Sequence, residues 1–134
     1  MTLPDRCLNM DSLVIEEKNG RFEIFAEIKQ LGKDLLVIVY GGATHIGAIG
    51  MAQPRASLRD PEKMSATSST YTYIGHKEDA VVKTMSEEIA KRLDKKVVVV
   101  AGIHWDELSM KEIEIIVEVC RTIAERVITE VQKR

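Results

Sequence analysis

The side chains best suited to chemistry in this sequence gather where apolar runs stop. Gly41-Gly42-Ala43-Thr44-His45 follows directly on the run Leu35-Leu36-Val37-Ile38-Val39-Tyr40. Glycines there let a ligand reach backbone N–H groups, and strand ends are common ligand positions. The plainer reading is a hairpin loop that needs positive φ, glycine's everyday use. Gly75-His76-Lys77-Glu78-Asp79 stands before a helical pattern. Unpaired N–H groups at a helix start, joined by the Lys77 cation, suit an anion. Glu78 and Asp79 would repel one, and they fit an ordinary turn with acidic first-turn residues equally well. His104-Trp105-Asp106 closes another apolar run. Trp105, the only tryptophan, is suited either to stacking on a planar ring or to covering a sheet edge. Arg55, Arg59 and Lys63 lie with Asp60 and Glu62 in a polar stretch. Such a basic loop can clamp a phosphate, although a solvated surface loop is the commoner case.

Three histidines, His45, His76 and His104, all fall at loop positions. Three histidines and a water make a catalytic zinc site, but no His-x-His or His-Glu-x-x-His spacing supports one here. Cys120 falls on the apolar stripe of the last helical segment and is expected to be inert. Cys7, near the start, has no neighbour that would activate a thiol. No nucleophile elbow, P-loop or Rossmann fingerprint is present, so the residues alone do not describe an orthodox enzyme.

The elements that must position these residues change period halfway along the chain. Leu13-Val14-Ile15 leads to Asn19-Gly20, a favoured hairpin turn. Phe22, Ile24, Ala26 and Ile28 then alternate with charged residues as in a half-buried strand, with Phe25 breaking the pattern. Leu35–Tyr40 suits a central strand. Ile46–Ala52 reads as another, in which Gly47 and Gly50 signal a bulge or a close backbone approach. Pro54–Lys63 reads as a loop and Ser65–Ile74 as a fifth strand. From Glu78 to Leu93 the residues Val81, Met85, Ile89 and Leu93 recur every fourth position, a helical stripe. Val97–Ala101 is a buried strand. Ser109 with Glu112 forms a capping box for a last helix whose stripe is Ile113, Ile116, Val117, Cys120, Ile123, Ala124, Val127 and Val131. The order β-β-β-β-β-α-β-α predicts an α+β fold. About six mostly antiparallel strands, with Leu35–Tyr40 and Val97–Ala101 central, should carry both helices on one face.

The chain has 134 residues, which suits a single domain spanning 1–134. Its 45% hydrophobic content is that of a globular chain. Nineteen basic residues against 21 acidic ones leave a net charge of −2, which provides no bulk attraction to nucleic acid or an anionic membrane. No apolar run approaches the ~20 residues of a membrane span. The opening Met1-Thr2-Leu3-Pro4-Asp5-Arg6 lacks a signal-peptide pattern. With two cysteines far apart, a cytoplasmic protein is expected.

Taken in order, several short motifs resemble those of one family, the small D subunits of hydroxyarylic-acid (gallate-type) decarboxylases, which are prenylated flavin chaperones. They are Gly41-Gly42 leading to His45-Ile46-Gly47-Ala48, Ser57-Leu58-Arg59-Asp60-Pro61, Gly75-His76-Lys77-Glu78-Asp79, and Val97-Val98-Val99-Val100-Ala101-Gly102-Ile103-His104. The resemblance covers roughly Ser12 to Val131. The resemblance implies a non-catalytic carrier that binds prenylated FMN, or FMN, and supports a UbiD-type decarboxylase. A flavin mononucleotide needs an anion site, a flat contact for its ring and polar groups for the ring edge. Gly41, Gly42, Lys77 and Arg55 or Arg59 are candidates for the first. Trp105 is a candidate for the second, and His45, His76 or His104 for the third. The backbone at Gly41-Gly42 and the helix start after Gly75, with Lys77 or Arg59, are expected to face one cavity. Outward-turned Glu78 and Asp79 are a condition of that arrangement.

Two alternatives stand beside this reading. The fold is also similar to proteasome-assembly chaperones, which would make the chain a protein-binding assembly factor. A histidine-coordinated metal hydrolase is the third possibility. A homo-oligomer is expected, because Val82 and Ile128 lie off the main helical stripes and Phe25 points away from its strand's apolar face.

Overall fold

The computed structural model describes residues 12–73 and 78–134. Eight elements follow in the predicted order: β1 (Ser12–Asn19), β2 (Phe22–Leu31), β3 (Asp34–Gly42), β4 (Ala48–Ala56), β5 (Met64–Thr72), α1 (Asp79–Leu93), β6 (Val97–His104) and α2 (Met110–Gln132). The strands form one sheet in the order β1-β2-β3-β6-β4-β5. β3 and β6 are central and parallel to each other, and every other pairing is antiparallel.

Two-residue turns build the first meander. Asn19 pairs with Phe22 and Leu31 with Asp34, so the turns are Gly20-Arg21 and Gly32-Lys33. The first lies one residue beyond the expected Asn19-Gly20. Each opens on a glycine with positive φ, 62° at Gly20 and 65° at Gly32, which L side chains rarely adopt. β4 runs on to Ala56, so the loop expected from Pro54 begins only at Ser57.

One face of the sheet is the core. Ile24, Ala26, Val37, Val39, Val99 and Ala101 are fully buried there, under both helices. α2 lies over β1 and β2, while α1 covers β4, β5 and β6. Gly50 is where α1 comes closest, since a Cβ there would overlap the backbone of Val82. Its signal was therefore close approach, in a strand whose register runs without a bulge. The helix stripes are broader than expected: Met85 and Ile89 of α1 and Ile116, Cys120, Ile123, Ala124, Val127 and Val131 of α2 are buried as predicted. α1 buries Val82, Met85, Ser86, Ile89 and Ala90, and α2 buries Val119 and Ile128 while Ile113 and Val117 stay exposed. Val82 and Ile128 are thus core residues, not surface ones. The capping box is formed: the Ser109 hydroxyl accepts from the Glu112 N–H at 3.1 Å, and Glu112 accepts from the Ser109 N–H at 3.0 Å.

The opposite face carries no helix among the described residues. By register, Val14, Glu27, Ile38, Val100, Ile49 and Tyr71 form one row across all six strands. Lys29, Leu36, Val98 and Met51 form the next row. Val14 is 60% exposed, Met51 51% and Tyr71 63%. Phe25 stacks on Tyr40 on this face with ring centroids 5.4 Å apart, so its break in the alternation is an outward aromatic pair. Burial and the adjacent Glu27 carboxylate push the Tyr40 phenol above its ordinary pKa.

Candidate functional site

The predicted site residues fall at two opposite ends of the sheet. Gly41, Gly42, His45, His104 and Trp105 meet where β3 and β6 finish. Here residues 43–47 cross from one side of β6 to the other to begin β4. Two backbone bonds fix the crossing, from Ala43 N–H to the His104 carbonyl at 3.0 Å and from Gly47 N–H to the Ala101 carbonyl at 2.8 Å.

This end is densely filled. The Trp105 indole lies over Gly41 and Gly42, where a Cβ on either residue would meet it, and its edge contacts the Phe22 ring with centroids 5.0 Å apart. A Cβ on Gly102 would overlap the His45 carbonyl, and one on Gly47 would overlap the Glu78 carboxylate. Each of these glycines is therefore explained by protein atoms already above it. Trp105 covers the sheet edge, and the backbone expected to cradle a phosphate at Gly41-Gly42 lies beneath its indole.

Glu78 is the residue that sequence reasoning misjudged. It occupies the N-cap position of α1 without a side-chain capping bond and is only 6% exposed, turned inward rather than outward as the phosphate arrangement required. Its Oε1 accepts from the Ile103 N–H at 3.2 Å and lies 2.9 Å from His45 Nε2. His45 Nδ1 donates to the Ala43 carbonyl at 3.0 Å. The contact with Glu78 is a full ion pair when the imidazole carries both protons. One carboxylate thus joins α1, β6 and the crossing loop. The signal available in the sequence was Gly47, which leaves room for that carboxylate. A buried negative charge at a helix start opposes the dipole's attraction for a phosphate.

His104 lies beside His45, ring centroids 6.1 Å apart, and its Nε2 meets Asp106 Oδ1 at 2.9 Å. His76, Lys77, Gly75 and Cys7 lie outside the described residues. Among the described residues no group of three His, Cys, Asp or Glu side chains stands close enough to hold a metal ion. Cys120, on the inner side of α2, is buried, which pushes its thiol up to about 12.

Arg55 and Arg59 belong to the other end. β4 runs antiparallel to β6 from Ala48, opposite Ala101, to Ala52, opposite Val97, and continues beyond. Arg55 therefore emerges past the start of β6, where its Nε donates to Thr67 Oγ1 at 2.7 Å. Arg59 follows in the loop after β4, so it does not share a cavity with Gly41-Gly42. The uncovered face near Arg55 contains a shallow hollow of about 620 Å³. Leu36, Met51 and Val98 form its floor, and Asp34, Lys96 and Thr67 stand on its rim.

The family model described as the prenylated flavin chaperone LpdD-like domain matches residues 18–132. No curated protein matches. Among solved structures the fold is similar to a chain in the crystal structure of a novel chaperone complex for yeast 20S proteasome assembly. The TM-score is 0.55 at 12% identity, covering 90% of this chain and 98% of that one.

Proposed function

The chain belongs to the prenylated flavin chaperone LpdD-like family, and on that premise we propose that it is a non-catalytic carrier of prenylated FMN. It supports maturation of a UbiD-type decarboxylase in the cytoplasm, with ordinary FMN as the alternative cargo. The supporting observation is the uncovered sheet face. A soluble chain rarely leaves an apolar surface continuous across several strands unless something binds it. A flat isoalloxazine ring matches such a surface in shape and polarity, and release comes readily from an open face. In this reading Arg55 and Arg59 meet the phosphate, and His45, His104 and Trp105 hold the loops at the other end in place.

The carrier works as a homo-oligomer in this reading, with a second copy against part of the same face. Opposed sheets pack at about 10 Å with interdigitating side chains, which suits the Phe25, Ile38, Tyr40, Val100 and Ile49 surface. The likeness to the proteasome-assembly structure concerns the fold alone. It leaves a protein-only assembly factor as the second reading, one in which the face binds a polypeptide and no flavin.

Anaerobic titration with reduced prenylated FMN, beside FMN and a ligand-free control, tests the first reading. Saturable binding of a flavin is expected, followed by transfer that raises the activity of an added apo-decarboxylase. Absence of binding in both redox states would defeat it, as would decarboxylation by the isolated chain. Sedimentation should give an oligomer at micromolar concentration, and a monomer alone would reject the second copy.

A further inference from the structure

We infer that the phosphate-bearing ligand sits in the hollow over Leu36, Met51 and Val98, with its phosphate toward Lys96 and Arg55. This rests on the carrier reading above and assigns it a place that the sequence motifs did not indicate.

Four observations lead there. The first is room: about 620 Å³ is available, within the ~300–1,000 Å³ of small-molecule pockets. At the opposite end, indole, carbonyl and carboxylate atoms fill the space over Gly41, Gly42, Gly102 and Gly47. The second is the floor. Leu36, Val98 and Met51 are neighbours in one row of β3, β6 and β4, a flat apolar strip of the kind on which a planar ring lies.

The third is hydrogen bonding at the rim. Thr67 and Ser69 on β5 and Gln53 on β4 line the same hollow, facing the uncovered side by register, and their hydroxyl and amide groups can both donate and accept. A polyol chain between a ring and a phosphate needs partners of that kind. The fourth is charge. Lys33, Lys63, Lys95, Lys96, Arg55 and Arg59 lie at this end against Asp34, Asp60, Glu62 and Asp94, which leaves an excess of cations. Lys96 lies 3.5 Å from Asp34, both of them largely solvated. That separation gives a weak pair, which an incoming phosphate can replace. Arg55 uses its Nε on Thr67 and one terminal nitrogen on the Ala56 carbonyl, leaving its other terminal nitrogen for an anion. At the other end the buried group is the Glu78 carboxylate, which has the wrong sign.

The test compares binding of reduced prenylated FMN with that of its dephosphorylated riboflavin counterpart, under anaerobic conditions. Lys96 is exposed, so Lys96→Glu should fold normally. Loss of a charge-assisted bond and introduction of a like charge should weaken the phosphorylated ligand about tenfold or more, and the riboflavin form under threefold. Met51→Glu places a charge on the floor and should weaken both ligands alike. Arg121→Ala removes a cation from the outer side of α2 and should change neither. If wild type binds flavin while Lys96→Glu and Met51→Glu bind as tightly, the hollow is overturned and the carrier reading stands. If wild type binds no flavin, the carrier reading fails, and this inference with it.

Discussion

The two faces of the sheet are built from the same strands, and both carry Val and Ile on the central ones, yet they have different fates. On one side Ile24, Val37 and Val99 are sealed under helices. On the other, Ile38, Val100 and Met51 form the apolar middle of rows that end in Glu27 or Lys29 on β2, with no covering element among the described residues. Burying a side chain such as Val or Ile is worth roughly 1.5–3 kcal/mol, so the first face accounts for folding. The second contributes little until something lands on it. An apolar residue at a strand position therefore says that a face will be covered, but not whether its own chain covers it.

The largest effects should separate the faces. Ile24→Ala removes a fully buried side chain and should cost about 2–5 kcal/mol in chemical denaturation. Ile38→Ala, on the neighbouring strand but the uncovered face, should cost no more than about 1 kcal/mol in the monomer. It should instead weaken association or cargo binding. Equal losses of stability would mean that the second face is sealed as well, and the contrast would collapse.

A middle-sized effect concerns the filled end, where the two faces meet. Glu78→Gln keeps an acceptor for the Ile103 N–H but removes the charge facing His45. The expected cost is about 1–3 kcal/mol, the usual range for disturbing a buried polar contact. Hydrogen exchange should quicken around residues 43–47 and leave β2 unchanged. Flavin affinity within twofold of wild type would agree with a holding role for this end, whereas a large loss would move the ligand there.

Much of this was legible from the residues, and the losses have physical causes. Continuous apolar runs marked β3 and β6 as central, because only a strand buried on both sides or between neighbours tolerates Leu35–Tyr40 or Val97–Ala101. Ser109 and Glu112 marked the start of α2 through a local bond that needs no tertiary knowledge. The full width of each helix stripe was harder. Val82 and Ile128 read as surplus because a narrow stripe accounts for one contact surface, whereas α1 packs against both the sheet and α2. Gly41-Gly42 was legible as a close approach but not as to what approaches, since a ligand and Trp105 leave the same mark in a sequence. The hollow was illegible for a different reason. Leu36, Val98 and Met51 come from three strands and Lys96 from the loop before β6, and their neighbourhood exists only once β6 is inserted between β3 and β4.

The smallest effect lies at the start of α2, within the covering layer. Ser109→Ala should cost about 1 kcal/mol by removing the hydroxyl that caps the helix. Glu112 adds a pH dependence. The Ser109 backbone N–H first, and then Arg21 at 3.0 Å, hold its carboxyl below its ordinary pKa. A depressed folded-state value means the stability from this group is present above the unfolded carboxylate range and is lost as pH falls through the folded value. Glu112→Gln should therefore make the acid limb of the stability curve shallower, and Arg21→Ala should do so less. Unchanged acid limbs in both variants would show that the charge is idle. Neither variant touches the uncovered face, so association at neutral pH should match wild type. If Ser109→Ala altered it, the cap would be communicating through the sheet, and the two faces could not be treated as independent.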